Sequence, residues 1–134
     1  MGLYYDYTIF YIIIATKSAA IRGICEEYHH LFDDADVVSL QNGIGNEEVI
    51  REYTDHVIGA MIITGFEWRE KNAVPVLVDG GETVFGRFPK GFDSAVETLA
   101  NLFMQAGMRS LASASVLSAA VWSKVFYSCS LNSM

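Results

Sequence analysis

Lys124, Ser128 and Asn132, four residues apart near the end of the chain, offer one cation and two small hydrogen-bonding groups. On a helix that spacing puts them near one stripe, about 6 Å per step along the axis. The surrounding residues are largely apolar: Val116, Leu117, Val121, Trp122, Val125, Phe126 and Leu131. A lysine so placed can donate a proton or stabilise a developing oxyanion, while the hydroxyl and amide orient a polar substrate. An amphipathic helix with a narrow polar stripe has the same spacing, and the pattern alone does not decide between the two.

A second constellation is "QNGIGN" (41–46), which follows the apolar run "VVSL" and opens the acidic segment "NEEVIREYT". Asn42 offers a donor and an acceptor, and the glycines allow positive φ and close backbone approach. A turn that closes a buried strand and opens a helix lies where open α/β sheets bind ligands. The plainer alternative is a connecting turn with Asn46 as N-cap and Glu47 and Glu48 favouring the helix dipole. Lys17, after "IIIAT", holds an equivalent position at another strand end. A lysine there can meet a phosphate or ribose; a solvated lysine in a first helical turn is the simpler reading of the spacing. His29 and His30 have no third ligand nearby and read as a solvent-facing helix end. Asp33, Asp34 and Asp36 read as a solvated acidic turn. There is no Walker motif, nucleophile elbow or Ser-His-Asp order.

These groups need elements to position them. Residues 7–15 are rich in Ile, Tyr and Phe without polar alternation, which predicts a strand buried on both faces. Residues 16–32 have helical spacing, 35–40 form a second short strand and 46–54 a short helix. This βαβα order points to a parallel α/β sheet. A longer strand is predicted over 57–69, then two strands within 73–88 joined as a hairpin at Asp79-Gly80-Gly81. A helix over 92–107 has Asp93 or Ser94 as its cap and Gly107 at its end. A short strand at 108–113 precedes a helix over 114–134.

The 134 residues amount to about one domain, and a hydrophobic content of 51% supports a sizeable core. A formal charge of -7 argues against a nucleic-acid surface or a polybasic membrane contact. The run at 7–15 is too short to span a bilayer and has no basic segment before it. Cys25 and Cys129 match no metal spacing and sit in apolar helical patterns, so both read as small buried hydrophobes in a reducing cytoplasm.

In order, "ATKS", "LQNGIGNEE", "GGETVFG" and "WSKVFYSCSLN" resemble the motifs of ketopantoate reductases, over roughly residues 7 to 134. The most specific pieces are QNGxGNEE and the Trp122, Lys124, Asn132 pattern. The resemblance implies an α/β fold, the second half of a Rossmann-type dinucleotide-binding domain over 1–113. Residues 114–134 would begin the helix leading to a C-terminal helical domain. It also implies an oxidoreductase that reduces 2-dehydropantoate to pantoate with NADPH, in pantothenate biosynthesis. By the same likeness Lys17 and Asn42 contact the cofactor, and Gly65 offers a backbone contact near the nicotinamide. Lys124 is the proton donor. Asn42, Ser128 and Asn132 bind the 2-keto acid, although Ser128 stands where the family usually has asparagine. The family's GxGxxG fingerprint does not occur in these 134 residues. The chain is therefore expected to be a fragment without turnover of its own. A non-catalytic, self-associating module and a dehydrogenase of another 2-keto acid are the alternatives.

Overall fold

The computed structural model describes residues 10–67, 69, 73–78 and 80–114. The helix expected over 114–134, with Lys124, Ser128, Cys129 and Asn132, lies outside the described residues apart from its first position.

Among the described residues, seven strands and three α-helices follow in the order β1 (Tyr11–Ile14), α1 (Ile21–Tyr28), β2 (Asp36–Ser39), α2 (Asn46–Arg51), β3 (Val57–Met61), β4 (Gly65–Phe66), β5 (Val76–Val78), β6 (Thr83–Arg87), α3 (Ser94–Gln105) and β7 (Ser110–Ala112). Single 3-10 turns flank α1. The main sheet has the order β1-β2-β3-β6-β7. β1, β2 and β3 run parallel, with Ile13 opposite Val38 and Ser39 opposite Gly59. β6 is antiparallel to β3, and β7 is parallel to β6. This α/β arrangement has the parallel β1, β2 and β3 expected from the βαβα pattern, and the Rossmann-type character that the family resemblance implies.

Alternation along the strands sends neighbouring side chains to opposite faces. Val37 and Val57 join Ile21, Cys25, Phe32 and Ile50 beneath α1 and α2. Val38 and Ile58 join Phe85, Val96, Leu99 and Ala100 beneath α3. Cys25 is fully buried, as its apolar setting predicted. The sheet is thus covered from both sides, which leaves the strand ends as the places where polar groups gather.

Four local expectations are corrected. β1 is not buried on both faces: it is the outermost strand among the described residues, and Ile13 stays 47% exposed. The long strand expected over 57–69 breaks after Met61 and resumes as β4. Asp79-Gly80-Gly81 does not join a pair of hydrogen-bonded neighbours, because β5 pairs with β4 while β6 pairs with β3. A small hairpin is therefore nested inside a larger one. Gly80 packs against its base so closely that a Cβ would stand 2.8 Å from the Ile63 carbonyl oxygen. Finally, Asp36 is no member of a solvated turn; it begins β2 and pairs with Arg87, which also bonds Asp93 at 2.8 Å.

Asp93 is the cap of α3, its Oδ1 accepting from the Ala95 and Val96 amides at 3.1 Å. Ser94 is the first helical residue. Gly107 ends the helix with φ 86°, a conformation that favours glycine.

Candidate functional site

Because β1 and β2 are parallel neighbours, the loops after them emerge side by side. The first carries Ala15, Thr16, Lys17 and Ser18; the second carries Leu40, Gln41 and Asn42. Together they line an open groove of about 390 Å³ at the carboxyl ends of the strands. The last ladder bond below it runs from the Leu40 amide to the Ile14 carbonyl, 3.0 Å.

Lys17 and Asn42 are both exposed at this groove. The sequence placed them at equivalent strand ends, and the structure puts their loops in contact. The Ser18 hydroxyl donates to the Asn42 carbonyl at 2.8 Å. The Gln41 amide donates back to the Thr16 carbonyl at 3.0 Å and to the Thr16 hydroxyl at 3.3 Å. Asn46 Nδ2 also donates to the Asn42 carbonyl, at 3.2 Å.

Asn46 is therefore not the N-cap of α2. That position belongs to Gly45, whose φ of 97° is left-handed, and Asn46 is the first helical residue with its side chain turned back into the loop. Gly43 has a φ of 103°, so both glycines of the motif are required by backbone conformation. A Cβ at Gly43 would also stand 3.7 Å from Ser18 Oγ, filling the corner where the two loops meet.

Behind the turn, Glu47 is buried at 7% exposure. Burial pushes its carboxyl above the usual carboxylate range, against the opposing effect of its own backbone amide and the Ser39 hydroxyl. Ser39 Oγ is itself buried and, among the described residues, closes no hydrogen bond of ordinary geometry.

Gly65 is not brought into the groove. It begins β4 and pairs with Val78 in the two-stranded sheet. Lys124, Ser128 and Asn132 lie outside the described residues. Ser18 and Gln41 lie within the motifs around Lys17 and Asn42, but sequence alone assigns them no role. Their signal was present as short polar side chains flanking Lys17 and Asn42, yet partners 24 and 25 residues away cannot be read from local spacing. His29 and His30 are exposed, as expected. Among the described residues no group of His, Cys, Asp and Glu is arranged to hold a metal. Among the same residues no helix is long and apolar enough to cross a membrane.

The family model described as "Ketopantoate reductase PanE/ApbA" matches residues 6–90. A 2-dehydropantoate 2-reductase of Pyrococcus abyssi is 30% identical over 121 residues, covering 90% of this chain and 40% of that protein. The chain thus spans about 40% of the length of this relative. A crystal structure of 2-dehydropantoate 2-reductase from Geobacter metallireducens superposes with a TM-score of 0.63 at 25% identity, over 77% of this chain and 35% of that one. D-mandelate dehydrogenase in complex with NADH shares the fold at a TM-score of 0.69 and 18% identity, over 84% and 38% of the two chains.

Proposed function

The chain belongs to the ketopantoate reductase PanE/ApbA family, and from that premise we propose that it is part of an NADPH-dependent 2-dehydropantoate 2-reductase. The observation that carries this reading is the groove at the ends of β1 and β2, where Lys17 and Asn42 stand on two hydrogen-bonded loops. Its lining fits the sugar and amide portions of a dinucleotide: one cation, short polar side chains, and a glycine corner free of side chains. The curated relatives' reaction, and the NADH carried by the D-mandelate dehydrogenase, support a nicotinamide cofactor.

When bound, NADPH supplies the hydride that reduces a keto carbon. Lys17 holds the cofactor from the first loop. Asn42 donates and accepts hydrogen bonds between cofactor and keto acid. Gly65, on β4 outside the groove, would contribute a backbone contact only to the nicotinamide end of a cofactor that extends beyond it. Lys124 donates a proton to the carbonyl oxygen, while Ser128 and Asn132 bind the substrate. On this reading residues 1–113 belong to the dinucleotide-binding domain and 114–134 begin the following helix. The compartment is the cytoplasm, with Cys25 a reduced, inert thiol.

An NADPH titration of the 134-residue chain, followed by fluorescence or calorimetry, tests the groove. Saturable binding at micromolar levels is expected, weakened about tenfold or more by Lys17→Ala or Asn42→Ala, as for a lost hydrogen bond to a charged or buried group. No binding up to millimolar levels would overturn the assignment of a usable site to these loops. The chain alone is expected to bind without turning over 2-dehydropantoate. In a protein of the relatives' full length, Lys124→Ala should cut turnover by about 10²–10⁴-fold, the usual worth of a general acid, with NADPH affinity kept. Near-normal turnover in that variant would remove Lys124 from the chemistry.

A second reading, a self-associating module without catalysis, is favoured by β1, the outer strand among the described residues, where Ile13 is 47% exposed and the preceding Phe10 68%.

A further inference from the structure

We infer that Ser18 and Gln41 are positioning residues, which lock the two loops of the groove so that Lys17 and Asn42 act as one binding unit. This rests on the groove being the NADPH site.

The hydrogen bonds run in both directions across the gap. Gln41, on the second loop, holds the Thr16 backbone on the first; Ser18, on the first, holds the Asn42 backbone on the second. Thr16 and Ser18 are the two neighbours of Lys17, so its backbone is anchored on both sides while its side chain stays exposed. On the second loop Gln41, the neighbour of Asn42, is tied to Thr16, and Asn46 gives the Asn42 carbonyl its second donor. With its carbonyl held by two donors, the peptide at Asn42 cannot rotate without breaking both.

Gln41 supplies an independent reason to look for a role beyond packing. Its Oε1 is buried and, among the described residues, has no hydrogen-bond partner. A buried acceptor left unmatched destabilises the fold, and an apolar side chain of similar size would avoid that cost. What the amide adds is the donor directed at Thr16. Neither Ser18 nor Gln41 needs to touch the ligand, because each acts through the backbone of a neighbouring residue.

The test is a set of NADPH titrations on the 134-residue chain. Ser18→Ala and Gln41→Met should each weaken binding about five- to tenfold, the effect of one neutral hydrogen bond on an equilibrium. Ser18→Thr, which keeps the hydroxyl, should bind like the parent chain. The decisive measurement is Ser18→Ala combined with Asn42→Ala, which removes the amide side chain but leaves the carbonyl that Ser18 holds. If Ser18 works by placing the Asn42 side chain, its own substitution loses most of its effect in that background. Equal, additive losses would mean that Ser18 touches the ligand itself or acts on the fold at large, and would overturn the inference. So would a failure of Ser18→Thr to restore binding. If Lys17→Ala and Asn42→Ala leave NADPH binding unchanged, the reading of the groove fails instead; if those two weaken binding and Ser18→Ala does not, only the positioning role is lost.

Discussion

At the scale of single residues, the groove combines groups that favour binding with one that opposes folding. Glu47 is buried behind the Asn42 turn, and burial raises its carboxyl above the ordinary 4.5. A raised value in the folded state means that the proton is held more tightly there than in the unfolded chain. Folding is therefore helped at low pH, and that help is lost as pH rises through the folded-state value. Glu47→Gln should raise the melting temperature by a few degrees at pH 7, since each tenfold difference in proton affinity between the folded and unfolded chains corresponds to about 1.4 kcal/mol. The advantage should fade towards pH 4. Melting curves of both proteins from pH 4 to 8 would show it, and an advantage independent of pH would refute the charge argument. Residue types at this scale were legible in the sequence: Lys17 and Asn42 were marked by strand ends, and the two glycines by their turn. Their helpers were not, because Ser18 and Gln41 gain meaning only from partners on the other loop.

At the scale of elements, helical spacing predicted α1 and α3, since burial on one face imposes a period, and the parallel strands were legible as short apolar runs alternating with those helices. Pairing was less legible. An Asp-Gly-Gly turn between apolar runs has the marks of a two-strand hairpin, yet β5 and β6 each find a different partner. The choice depends on β3, which offers β6 a five-residue, fully buried neighbour, whereas β4 is two residues long. The N-cap of α2 was misplaced for a related reason: asparagine caps helices well, but here its amide serves the loop and a left-handed glycine takes the position. The cap of α3 carries more than one function. Asp93 accepts from two helix amides and binds Arg87, which in turn holds Asp36 at the start of β2. Burial works against the charged form of Asp93, but the Arg87 hydrogen bond and the two amides prevail and hold it below the usual carboxylate range. Asp93→Ala should cost about 1–2 kcal/mol, the upper part of the range for a lost cap. Asp93→Asn, which keeps the acceptor, should recover most of it. Chemical denaturation would measure both, and an unchanged midpoint for Asp93→Ala would show that the helix start is held by other means.

At the scale of the molecule, the sheet is covered on both faces but open at one side. β1 has no neighbour on its outer edge among the described residues, and Ile13 and Phe10 expose apolar surface there. A strand at the edge of the described sheet, with an exposed isoleucine, invites edge-to-edge pairing. The chain is expected to elute from size exclusion larger than a monomer, increasingly so at higher concentration. Ile13→Lys should return it to a monomer with little change in melting temperature. A parent chain that stays monomeric at every concentration would leave the second functional reading without support. Neither outcome bears on the groove, which opens at the strand ends.

The nested hairpin has a consequence for how such a chain reaches its native state. β3 and β6 pair across everything between residues 62 and 82, and β4 pairs with β5 within that interval. Short loops close in well under the time needed for longer ones, and a two-stranded unit of local sequence forms in about 1–10 μs. Once the inner pair has closed, the ends of the interval are tethered by a shorter effective path, so the entropy lost on joining β3 to β6 falls. The reversal of direction in the middle of the main sheet, the step that separates β1, β2 and β3 from the oppositely running β6 and β7, is in this way made local.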